Sequence, residues 1–136
     1  MCDDRLVSSA NVELARRGYE ALRRGDLGAV AALLDENVKW HWGDPLAEGA
    51  CRNRAQALAW LRRPERSGPG ELVEMIDAGE RVVVVLRPPV GDGEQAPLRA
   101  AVASFHDGKV VEIRGYDSPA AALSAVGRVA PLQPLE

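Results

Sequence analysis

The sequence predicts an α+β domain: a curved, mostly antiparallel sheet forming a cone, with three helices across its open side. Three observations predict it. Helical periodicity dominates the first half, whereas the stretch from Glu71 to Tyr116 reads as strands joined by antiparallel turns. Helices grouped ahead of such a meander pack on one face of a single sheet. Finally, residues 38–42, Val-Lys-Trp-His-Trp, form a strand that sets Trp40 and Trp42 on one face, in a chain with three Trp, two Tyr and one Phe. Aromatics gathered on one inner wall either fill a core or line an apolar pocket.

Taken in order, residues 1–8 are expected as a flexible tail. Residues 11–24 carry Val12, Ala15, Tyr19 and Leu22 on one helical stripe, with Ser8 or Ser9 as a cap. Gly25 stops that helix and Asp26 caps the next, 27–34. The Trp strand follows, then a polar loop over 43–51 containing Asp44-Pro45. A third helix spans 54–63, with Ala55, Leu58 and Leu61 expected on its buried side, and the Pro- and Gly-rich stretch 64–70 is a connector. Strands are predicted at 71–77, Arg81–Arg87, 98–106 and Lys109–Tyr116. Their turns are Ala78-Gly79-Glu80, a long tip over 88–97, and Asp107-Gly108. Ser118 caps a last short helix, 120–126, with Pro119 at its first position. The domain is expected over 9–127, with 128–136 as a C-terminal tail.

At 136 residues the chain is one domain, long enough to bury a core without disulfide or metal staples. A net charge of −3 argues against nucleic acid as the main partner, because phosphate contacts need a clustered basic face. The basic pairs Arg16-Arg17, Arg23-Arg24 and Arg62-Arg63 alternate with acids along helices and read as solvated. The opening Met-Cys-Asp-Asp is acidic and no apolar run follows it, so no signal peptide is expected; no run reaches the roughly 20 apolar residues of a membrane span. Cys2 and Cys51 make no disulfide framework and no metal-ligand spacing. A reduced cytoplasmic protein without a cofactor is the expectation.

Five segments, in this order, carry a family resemblance: Tyr19-Glu20-Ala21-Leu22-Arg23-Arg24-Gly25-Asp26-Leu27, Asn37-Val38-Lys39-Trp40-His41, Asp77-Ala78-Gly79-Glu80-Arg81-Val82-Val83-Val84-Val85, Asp107-Gly108-Lys109-Val110-Val111-Glu112-Ile113-Arg114-Gly115-Tyr116, and Ala122-Leu123-Ser124-Ala125-Val126-Gly127. The chain thereby resembles the SnoaL-like branch of the nuclear transport factor 2-like superfamily, over about residues 9–127. The resemblance implies a cystatin-like α+β cone enclosing a pocket. It also implies a small hydrophobic or polyketide-like substrate and a cyclase, isomerase or hydrolase type of reaction, while many relatives have no known activity. The polar groups of the ketosteroid isomerases map onto Gly18, Trp42 and Ala101, and those of the epoxide hydrolases near Leu86, Pro88 and Gly115. Neither set is present, and proton abstraction needs a base.

Two readings therefore stand. In the first, Tyr19, Trp40, Trp42, Val84, Leu86 and Ile113 line a mainly apolar ligand pocket. Asp117, which alternates with Ile113 and Gly115, supplies the one acid or base at its inner rim. In the second, the cone is filled by Trp40 and Trp42, and the domain is a non-catalytic dimerisation or protein-interaction module. A homodimer through the outer sheet face is expected on either reading, because Val83 and Val85 leave that face apolar. His41 is placed opposite the two Trp residues, His106 at a hairpin end, and Glu112 and Arg114 on the outer face with Tyr116. Asp44 and Glu48 are read as solvated loop acids.

Overall fold

Local chemistry sets the element boundaries. The structure, a computed structural model, describes residues 4–44, 46–63, 70–88 and 97–127. Among these, α1 (Asp4–Arg24) and α2 (Leu27–Leu33) lead into β1 (Leu34–His41) and α3 (Arg54–Leu61). The strands β2 (Glu71–Ala78), β3 (Arg81–Arg87), β4 (Arg99–His106) and β5 (Lys109–Tyr116) follow, and α4 (Pro119–Ala125) comes last. Gly25, at φ +75°, ends α1 in the left-handed conformation that glycine adopts without steric cost. The Asp26, Asn53 and Ser118 side chains then accept from the Ala29, Gln56 and Ala121 N–H groups, satisfying a first-turn donor of α2, α3 and α4.

The strands form one curved, unclosed sheet in the order β1-β5-β4-β3-β2. Pairings β2–β3, β3–β4 and β4–β5 are antiparallel, and β1 joins β5 in parallel. Register fixes which residues share a face. Val84 pairs with Ala101, Ala103 with Ile113, and Ile113 with Trp40, forming the inner wall. Val83 pairs with Val102, and Ala100 pairs with both Val85 and Tyr116, on the outer face.

Several boundaries differ from expectation. α1 begins at Asp4, so Ser8 and Ser9 lie inside the helix and do not cap it. β1 starts at Leu34 and stops at His41, which leaves Trp42 beyond the ladder. On α3 it is Ala57 that is buried and Ala55 that is exposed, with Leu58, Trp60 and Leu61 half-buried. The connector 64–69, the tip 89–96 and the tail 128–136 lie outside the described residues.

The largest departure concerns the outer face. Helix α4 crosses it, and Ala122 and Leu123 pack with Val83, Val85, Ala100 and Val102 in a second core. Val83 and Val85 are 0% and 3% exposed. The apolar outer face therefore receives its cover from the chain's own last helix, and the need for a dimer partner over these valines disappears. An outer guanidinium, Arg81, donates to the Ala125 carbonyl at 3.3 Å and ties the end of α4 to β3.

Candidate functional site

The inner wall is built from small residues at its centre and large ones around them. Strand β4 contributes Ala101 and Ala103, and α1 contributes Ala15 and Gly18 where it crosses the sheet. Side chains this small cannot fill the span between helix and sheet, so a cavity of about 130 Å³ remains. Tyr19, Trp40, Val84, Leu86 and Ile113 lie on its wall, where helical and strand periodicity put them. Phe105 and Val110 complete the deep end; the reading of the sequence did not include them, although Phe105 shares strand parity with Ala101 and Ala103.

Among the described residues the wall carries no carboxylate, imidazole, amine or guanidinium, and Tyr19 is its one titratable side chain. The Tyr19 hydroxyl donates to the Gly70 carbonyl at 2.8 Å and accepts from the Leu72 N–H at 3.0 Å. It ties α1 to the start of β2 while its ring faces the cavity. The positions that matched known catalytic groups hold apolar wall residues at Gly18, Leu86 and Ala101.

Two expected site residues stand elsewhere. Trp42 is 53% exposed and off the cavity wall. β1 ends one residue before it, and the chain bends away at Gly43, whose φ is +126°. Its indole instead rests on Gly115, where a Cβ would meet Trp42 Cδ1 and Nε1 at 2.6 Å. Asp117 follows β5 with its side chain exposed, also off the wall. The chain leaves the strand geometry after Tyr116, so alternation from Ile113 no longer governs where residue 117 points.

Trp60, which helix phasing from Ala55 had left out, joins the other two indoles. Its ring meets Trp40 and Trp42 edge-on, each at 5.3 Å between centroids, with interplanar angles of 71° and 75°. Each such contact contributes about 0.5–1.5 kcal/mol beyond area burial. The signal was available: Trp60 lies three residues after Ala57, on the same helical face.

On the outer face His41 is buried and its Nε2 lies 2.8 Å from Glu112 Oε2, while its Nδ1 accepts from the Gly43 N–H at 3.1 Å. Arg114 lies over the Tyr116 ring at 4.9 Å. His106 and its neighbour Asp107 are exposed at the β4–β5 turn. Asp44 accepts from the Leu46 N–H within its loop, and Glu48 borders a separate groove beside α3. Among the described residues, no three His, Cys, Asp or Glu side chains gather as a metal site, and no helix is long and apolar enough to cross a membrane.

The profile of the SnoaL-like domain matches residues 15–113, the span from Ala15 on α1 to Ile113 on β5. The chain belongs to the SnoaL-like family. No curated protein sequence matches it. Among solved structures, this SnoaL-like chain is similar to Bal32a from a soil-derived mobile gene cassette, at 27% identity and TM-score 0.67, over 80% of this chain and 89% of that one. A putative ketosteroid isomerase from Kribbella flavida DSM 17836 superposes with TM-score 0.64 at 22% identity, covering 79% and 76% of the two chains. An LEH-like epoxide hydrolase of M. tuberculosis gives TM-score 0.64 at 17% identity, covering 79% and 82%. At such identities the last two show the shared fold alone.

Proposed function

We propose that this SnoaL-like protein binds a small, neutral, apolar molecule inside its cone. The observation that carries the reading is the 130 Å³ cavity with an apolar wall whose one titratable group among the described residues, the Tyr19 hydroxyl, is already engaged by Gly70 and Leu72. At about 24 cal/mol per Å³ for a fully enclosed apolar cavity, this volume sets an upper bound on the cost of the void, on the order of 3 kcal/mol. That is a sizeable share of the roughly 5–15 kcal/mol by which a domain is stable. A bound apolar guest restores the missing dispersion contacts and offsets this cost.

Size narrows the guest. Apolar cavities near 150 Å³ hold benzene or xenon, whereas sites for drug-sized molecules run to about 300–1,000 Å³. A volume of about 130 Å³ matches a single ring better than a fused polyketide. With no acid or base on the wall among the described residues, binding without proton transfer is the reading that the geometry favours. The full chain, titrated with benzene and followed by methyl NMR, should show saturable shifts confined to wall residues such as Val84 and Ile113. A rise in melting temperature should accompany them. Absence of any saturable shift up to benzene's solubility limit would refute the proposal.

A further inference from the structure

We infer that Trp42 is a stopper that sets the length of molecule the cone admits, and that Gly115 is its seat. This rests on the cavity being a ligand site, and it assigns a specificity role to two residues off the cavity wall.

The geometry follows the last strand. Ile113 lies on the cavity wall, and the next inner-face position on β5 is Gly115. The β4 partner of Gly115 is Ala101, which is also on the wall. Any side chain at 115 would therefore project beside the end of the cavity. Gly115 has none, and the Trp42 indole fills that place, close enough that a Cβ would meet it at 2.6 Å. Trp42 thus closes the inner face directly beyond the wall formed by Ile113 and Ala101.

The same residue is free of the sheet. The last β1–β5 register pair is His41 with Arg114, so rotating Trp42 breaks no ladder hydrogen bond. The backbone behind it is held, because the Gly43 N–H donates to buried His41. A ring 53% exposed, seated on a glycine and touching Trp60 by an edge, can turn outward on a fixed stem. With the indole away, the space over Gly115 becomes continuous with the cavity and a second fused ring is accommodated.

The test compares benzene and naphthalene as probes on the full chain, by calorimetric titration of the natural protein, Trp42→Ala, Trp42→Phe and Gly115→Ala. The natural protein should take benzene and bind naphthalene weakly or not at all. Trp42→Ala should bind naphthalene at least about tenfold more tightly than the natural protein, a change of about 1.4 kcal/mol. Trp42→Phe should fall between. Gly115→Ala displaces the indole by its own Cβ and should move in the same direction; should it fail to fold, the two Trp42 variants still decide. If the natural protein binds benzene while Trp42→Ala gains nothing for naphthalene, the stopper is overturned and the ligand site stands. If neither the natural protein nor Trp42→Ala takes either probe, the ligand site falls, and the stopper with it.

Discussion

His41 and Glu112 form a hydrogen-bonded pair across the parallel β1–β5 seam, with His41 2% exposed and its Nε2 2.8 Å from the carboxylate. Because Nδ1 accepts from the Gly43 N–H, the ring's proton sits on Nε2 and is donated to Glu112. Glu112→Ala leaves that buried donor without its acceptor and should cost about 1–2 kcal/mol in urea unfolding. Glu112→Gln keeps an acceptor oxygen and should recover most of it. Nitrogen NMR of the natural protein at neutral pH should report the Nε2-protonated tautomer, and the Nδ1-protonated form would contradict the pairing.

Tyr19→Phe separates anchoring from ligand contact. The ring stays on the cavity wall, but the Gly70 carbonyl and the Leu72 N–H lose their shared partner. A loss of about 1–3 kcal/mol in stability is expected, with benzene affinity changed by less than about threefold. A large drop in affinity without loss of stability would place the hydroxyl in contact with the guest instead.

Ala103→Leu fills the void from within. Ala103 is buried on the cavity wall opposite Ile113 on β5, and a Leu there occupies space now open to a guest. The variant should lose benzene uptake while remaining folded, with stability raised by on the order of 1 kcal/mol. Uptake that survives the substitution would locate the binding site elsewhere.

Asp117→Asn should be silent. The side chain is exposed beyond the end of β5 and away from the wall, so stability should change by no more than about 0.5 kcal/mol and benzene affinity not at all. A marked change in any turnover on this substitution would restore the carboxylate to a proton-transfer role.

What the sequence showed, and what it did not, divides along the reach of local chemistry. Gly25-Asp26, Asp107-Gly108 and Ser118-Pro119 punctuate the chain by backbone and capping preferences that act within a few residues, and elements begin and end there. Strand parity carries Val84 and Ile113 to the cavity wall because the intervening pairings are regular. Alternation does set Trp42 on the inner face, over Gly115, but past the end of the cavity wall, and it has no force at Asp117, one residue beyond the last ladder pair of β5. That α4 covers Val83 and Val85 depends on how the chain turns after Tyr116, which no window of residues encodes. The void itself depends on Ala101, Ala103 and Gly18 meeting across helix and sheet, a coincidence visible only once the register is known.

The parallel seam between β1 and β5 has a consequence for how the chain is made. β1 is completed early in synthesis, yet its only partner strand among the described residues is the last one, with Leu34 opposite Val110. Until β5 leaves the ribosome, the β5-facing edge of β1 stays unpaired and the indole of Trp40 has no sheet wall beside it. Closure of the cone must therefore wait for the far end of the chain, a non-local step that slows folding. The nascent protein passes through a stage in which an open apolar trough faces solvent or a chaperone, and a premature stop before Lys109 would make that stage permanent.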